Sequence, residues 1–225
     1  MLSDEETPRS GVVGLTPLQL RYALLHNDWG VLPIVRHDMA DKRAGKGPAV
    51  RSWQQFAQYD AHLPSNEHLR EWDRKAFDQP RTGIPRGDIV AVDLDFAPDP
   101  DLAHELRGIA VETLGATPFM RQGQALKLVL VYRATEPIKS QAFKVHDGSG
   151  DGFDILASGR QFMAFGIHPK TLRPYPWIGS ESPLPASPKV LLVYRDPELG
   201  EPTTWFELAK WCQSYDDDVF DRGAA

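Results

Sequence analysis

Cysteine is almost absent: Cys212 is the single thiol in 225 residues, which excludes an internal disulfide framework and a cysteine-built zinc cluster. Long apolar runs are missing too. None approaches the roughly 20 residues that a membrane-spanning helix needs, and the acidic opening Met1-Leu2-Ser3-Asp4-Glu5-Glu6 lacks the basic-then-apolar pattern of a secretion signal. The expectation is a cytoplasmic protein with no membrane contact. There is no His-x-His pair and no His-Glu-x-x-His helix. Gly45-Lys46-Gly47-Pro48 is not a P-loop, because the upstream glycine spacing and the following Ser or Thr are missing. No internal repeat is visible. Basic charge is in deficit, at 25 Lys and Arg against 31 Asp and Glu, which argues at first against a nucleic-acid surface. The acid is concentrated, however. Asp196 to Asp221 holds eight acidic residues against Lys210, a segment of −7 that leaves the rest of the chain at +1. The main body is neutral, with local basic groups.

What the chain does have is apolar content of 41%, enough at this length for one full core with a small appendage. Its most informative stretch is Ile89-Val90-Ala91-Val92-Asp93-Leu94-Asp95-Phe96. Ile, Val, Leu and Phe at this density suit a buried strand. Strand side chains alternate, so Asp93 and Asp95 share one face while Val92, Leu94 and Phe96 take the other. Two like charges about 7 Å apart on a sheet face repel unless they reach solvent or a cation stands between them. Hard oxygen ligands suit magnesium or manganese.

Around that strand the chain reads as helices mixed with strands. Residues 1–14 form a disordered lead-in. Thr16-Pro17 starts a helix running to about Asn27, and Val31–Val35 is a short strand that Pro33 places at an edge. The polar stretch from Arg36 to Arg51 reads as a solvated loop. Short helices follow at Ser52–Gln58 and Ser65–Phe77, then a strand and turn over Arg81–Asp88. Beyond the acidic strand come a break at Ala97-Pro98-Asp99-Pro100 and an amphipathic helix from about Asp101 to Leu114. Strands are expected at Phe119–Gln122, Leu126–Arg133, Phe153–Leu156, Gln161–Ile167 and Val190–Tyr194. Asp147–Gly152 is turn-rich, and Ser158-Gly159 turns the chain into a hairpin. A last helix spans Thr204–Gln213, with an acidic tail after it. The order predicts an α+β fold with a mostly antiparallel sheet.

A third acid, Asp154, ends a later strand, with Arg121 and Lys127 before it and Arg160 and His168 after it. Three acids and several basic groups on separate strands are what metal-dependent phosphoryl transfer requires. Here the sequence resembles the primase-polymerase (prim-pol) domains of the archaeo-eukaryotic primase superfamily, common in phage and plasmid replication proteins. Val92-Asp93-Leu94-Asp95 is similar to their first motif and Phe153-Asp154 to their third. Gly159-Arg160-Gln161-Phe162-Met163-Ala164-Phe165-Gly166-Ile167-His168-Pro169, continuing into Arg173–Trp177, resembles a characteristic run of the same domains. Gly30–Pro33, Lys46-Gly47-Pro48 and Trp53 resemble their opening pattern, so the likeness spans roughly residues 18–178. The second motif departs from its usual form: Lys127 stands where the family has His.

The resemblance implies a prim-pol catalytic core over residues 15–195, with an RRM-like sheet and a small flanking α/β subdomain. The stretch 196–225 then forms a helix and acidic tail, a link to a following helicase domain in a longer protein. It implies a DNA primase/polymerase adding nucleotides to a 3′-hydroxyl on a DNA template and primer. Asp93, Asp95 and Asp154 would be the catalytic ligands of two divalent ions, Mg2+ or Mn2+. Arg121, Lys127, Arg160, Gln161, His168 and Lys46 would hold the nucleoside triphosphate. Two other readings stay open: a non-catalytic nucleotide- or nucleic-acid-binding module of the same fold, and a metal-dependent nuclease.

Overall fold

Caps set the helix starts. Thr16 accepts a hydrogen bond from Gln19 N, and Gln19 Oε1 accepts from Thr16 N, which with Pro17 at the first position begins α1 (Pro17–His26). Ser65 and the His68 side chain make the same reciprocal pair at α2 (Asn66–Arg74). The computed structural model describes residues 15–36, 39, 42–75, 81–85, 87–96, 100–144, 151–180, 183–184 and 190–191.

The remaining elements are β1 (Leu32–Pro33), β2 (Thr82–Pro85), β3 (Ile89–Asp95), α3 (Pro100–Leu114), β4 (Met120–Gln122), β5 (Leu128–Ala134), β6 (Gln141–Lys144), β7 (Gly152–Leu156), β8 (Gln161–Phe165) and β9 (Val190–Leu191). The larger sheet runs β4-β5-β3-β7-β6, all antiparallel, with β9 joined in parallel to the end of β5. The smaller is an antiparallel β1-β2-β8 sheet. Antiparallel sheets with a few helices make the fold α+β, as expected. β1 is an edge strand, where Pro33 lacks no ladder donor.

The two faces of β3 build two cores. Val90, Val92, Leu94 and Phe96 meet Leu102, Leu106, Ala110 and Leu114 of α3 together with Leu128, Leu130 and Tyr132. On the opposite face Ile89, Ala91, Val129 and Val131 meet Leu20 and Leu24 of α1, Trp29, Phe119 and the aromatics of β8. Trp29 is fully buried, edge-on to Phe119 at 5.2 Å and to Trp177 at 6.3 Å. This second core joins the flanking layer to the larger sheet. It stops short of the C-terminal end of β3. There the apolar residues on this face give way to Asp93 and Asp95, both only partly covered.

Two expectations need correction. Ser158-Gly159 does not turn a hairpin: β7 pairs with β3 and β6, whereas β8 pairs with β2. The chain crosses between sheets there, and Gly159 N donates to Ala57 O at 2.7 Å. The helix expected at Ser52–Gln58 is a single 3-10 turn, Trp53–Phe56. The basic loop exposes Arg36, Lys42, Arg43 and Lys46, as expected of a solvated loop, while its backbone folds back on β1, with Val35 N donating to Gly47 O and Ala49 N to Pro33 O at 2.9 and 2.8 Å. β6 was not expected at all. The lead-in 1–14, the 97–99 break, the turn at 145–150, strand positions 192–194, the Thr204–Gln213 helix and the acidic tail lie outside the described residues. Among the described residues no helix is long and apolar enough to cross a membrane.

Candidate active site

Register alone assembles the acidic face. Asp93 on β3 lies directly opposite Asp154 on β7 and opposite Val129 on β5, which in turn faces Arg121 on β4. One step further along the same face, Asp95 lies opposite Gly152, which faces Lys144 on β6. Lys127, just before β5, closes this second row from the other side, its Nζ 2.5 Å from Asp95 Oδ1. Lys144 Nζ is 3.1 Å from Asp154 Oδ1, an ion contact outside hydrogen-bond geometry that leaves this buried oxygen without a hydrogen bond.

Above this face opens a cleft of about 270 Å³. One wall is the larger sheet, with Asp93, Asp95, Arg121 and Lys127. The other comes from the flanking layer, with Lys46, Gln161 and His168. Seven of the nine expected site residues therefore line one cavity, and Asp154 adjoins it through its pairing with Asp93. Arg160 does not join them. It is exposed in the crossing turn, where its N–H donates to Ala157 O.

Each side chain is set by its surroundings. Gln161 donates through Nε2 to Lys46 O at 2.7 Å, tying the basic turn to β8 and presenting Lys46 at the cleft. Arg121 is buried, its guanidinium 4.6 Å from the Tyr175 ring centre, with Nε lacking a partner. Burial pulls its pKa down and Asp93 opposes the fall. Burial also holds the Asp93 carboxyl above the usual range, with Asp95 and Asp154 adding to the rise and Arg121 and Lys144 working against it.

His168 lines the cleft as a neutral group. It sits in a closed turn and its Nδ1 accepts from both Lys170 N and Thr171 N at 3.2 Å, which puts the proton on Nε2. Burial, then Lys46 and Arg121, depress its pKa. It offers the cleft a neutral N–H donor, not a positive charge.

Two residues were missed. Tyr175, edge-on to His168 at 5.2 Å, backs both His168 and Arg121. It lies in the run quoted for the resemblance, but nothing in that run singles it out. Lys144 was invisible because its strand was.

With this geometry established, comparison with known families is decisive. The sequence model of the Prim-Pol family, described as bifunctional DNA primase/polymerase, N-terminal, matches residues 20–190. The chain belongs to the Prim-Pol family. No curated protein matches it. Prim-Pol membership gives a primase/polymerase type of function at the level of the family, with DNA and nucleotides as its substrates, and Prim-Pol enzymes are in general divalent-metal dependent.

The donor set of this Prim-Pol domain fits a hard cation, with three carboxylates on one sheet face and Asp154 Oδ1 buried without a hydrogen bond. Among the described residues, though, no three His, Cys, Asp or Glu side chains are gathered closely enough to hold an ion. The expected carboxylate trio shares a face but not a single point. Lys127 and Lys144 stand on its outer two members.

Proposed function

We propose that this Prim-Pol domain is a template-dependent nucleotidyltransferase that extends a DNA primer. The observation that carries this reading is the register that sets Asp93 against Asp154, with Asp95 on the same face, beneath a cleft whose walls carry Arg121, Lys127 and Lys46. Two divalent ions, Mg2+ or Mn2+, shared among Asp93, Asp95 and Asp154 once Lys127 and Lys144 leave the outer two, would acidify the attacking 3′-hydroxyl and screen the phosphates.

The chain's own residues do the rest. Arg121 is held by burial and the Tyr175 face, so its fork is oriented before an anion arrives. Lys46 approaches from the opposite wall, on a turn that Gln161 anchors. Together they bind and orient a triphosphate, and fixed donors aimed at developing charge lower a phosphoryl-transfer barrier without reorganising. His168 donates through Nε2 to a phosphate or sugar oxygen. Lys127 supplies a point charge where a neutral imidazole is usual, so it attracts phosphate but accepts no hydrogen bond. Arg160, exposed and off the cleft, has no part in this set.

A second reading, a binding module without catalysis, is favoured by one observation: Lys127 already holds Asp95. Labelled nucleotide, a primed template and Mn2+ separate the readings. Extension that Asp93→Ala abolishes is the expected result. Nucleotide binding without extension would leave the module, and degradation of the template would mean a nuclease.

A further inference from the structure

Lys144 has no assigned role, yet it completes a pattern. Along the second row the order across the sheet is Lys127, Asp95, Gly152, Lys144. Position 152 cannot carry a side chain: a Cβ there would fall 2.0 Å from Phe143 O, and its φ is +148°. Only backbone therefore separates Asp95 from Lys144. The two ammonium groups stand at opposite ends, one on Asp95 at 2.5 Å and the other on Asp154 at 3.1 Å. Both pairs reach solvent, with Lys144 40% and Lys127 25% exposed, so neither lysine is locked in place.

Each ammonium stands against one oxygen of a carboxylate that a metal ion would use, Asp95 Oδ1 and Asp154 Oδ1. An ion arriving alone must displace a lysine and then sit beside the positive charge it has displaced. A polyanion arriving with the ion removes that obstacle, because its phosphate oxygens accept the freed ammonium groups. We propose that Lys144, with Lys127, is a resident counter-ion that couples the two ligands: the carboxylates resist a divalent ion alone and take it together with the nucleotide. Lys144 is here a positioning residue. The inference rests on reading the cleft as a nucleotide site. Coupling of this kind is reciprocal, so the nucleotide also binds better with the ion present.

The test is calorimetric titration of the full chain with Mn2+, alone and with a non-hydrolysable nucleoside triphosphate analogue, for wild type, Lys144→Met and Lys144→Arg. Wild type should bind Mn2+ more tightly when the analogue is present, by a factor within the roughly 5- to 150-fold range of ordinary coupling. Lys144→Met should bind Mn2+ alone about tenfold more tightly than wild type and lose about that much of the coupling. Lys144→Arg, which keeps the charge, should stay near wild type. Unchanged Mn2+ affinity in Lys144→Met, with or without a lower melting point, would make Lys144 a simple tether of β6 and overturn the proposal. Equal tightening in the Arg variant would trace the effect to shape instead of charge and overturn it as well. If wild type takes up no Mn2+ even with the analogue, the nucleotide-site reading itself falls and takes this one with it.

Discussion

At the scale of the residue, Asp93 and Asp95 look equivalent in sequence but are not equivalent in the fold. Asp95 has Lys127 on its carboxylate, whereas Asp93 sits deeper, with its pKa raised by burial and by its acidic neighbours. A carboxyl whose folded pKa exceeds its unfolded one binds more protons when folded, so its contribution to stability falls as pH rises through that interval. At neutral pH Asp93 therefore weighs against the metal-free fold. Asp93→Asn should raise the thermal midpoint in chelator, by up to about 1–3 kcal/mol in stability, the scale of desolvating a polar group. Asp95→Asn loses a partly exposed ion pair and should cost about 0–1 kcal/mol. Differential scanning fluorimetry at pH 7 decides, and an Asp93→Asn midpoint below that of Asp95→Asn would refute the assignment.

His168 carries the opposite sign. Its depressed pKa means that the unfolded chain binds the proton more readily, so stability falls as pH drops below about 6.5 toward the folded value. His168→Asn keeps an oxygen to accept from Lys170 N and Thr171 N but cannot titrate. Midpoints between pH 5 and 7 should fall less steeply in the variant than in wild type, and identical slopes would contradict a buried neutral imidazole.

At the scale of the element, β6 and β7 lie against each other with no room to spare. Gly152 is pinned by Phe143 O and by the Cα of Lys144, backbone atoms that cannot swing aside, while Phe143 stacks on Phe153 at 4.6 Å. Gly152→Ala should therefore part the strands, at a cost on the order of 3 kcal/mol from overpacking and a strained φ. It should also remove Lys144 from Asp154. Urea unfolding gives the first quantity and amide exchange in β6 the second. A variant with wild-type stability and wild-type protection in β6 would show that the strand pair is looser than its register implies.

At the scale of the whole molecule, what could be read from the sequence follows what each signal encodes. The acidic strand was legible because alternation puts Asp93 and Asp95 on one face whatever surrounds them, and α1 was legible because Thr16 caps it and Pro17 opens its first turn. The split of β7 and β8 between two sheets was not, since Ser158-Gly159 specifies a turn and says nothing of which sheet receives the next strand. β6 was missed because Gln141, Ala142 and Lys144 are exposed and show no apolar alternation, and Lys144 went with it. The neutral state of His168 depends on backbone donors that only a closed turn brings to Nδ1.

The same scale sets how the cleft depends on the fold. One wall belongs to the larger sheet and the other to the flanking layer, and the core around Trp29, Phe119 and Trp177 holds the two together. Damage there should reach the site without touching it. Trp29→Ala removes a fully buried ring and should cost about 3–5 kcal/mol. Because Arg121 and Lys46 approach from opposite walls, a shift between layers separates them, so triphosphate affinity should fall even where the variant remains folded. Leu106→Ala, on the buried side of α3 in the opposite core, should cost about 2–5 kcal/mol while leaving that affinity near wild type. Titration of both variants with a triphosphate analogue, well below their melting points, distinguishes the cases. Equal affinity losses would mean that the cleft responds to general loosening, and the flanking layer would not then be a wall of the site in its own right.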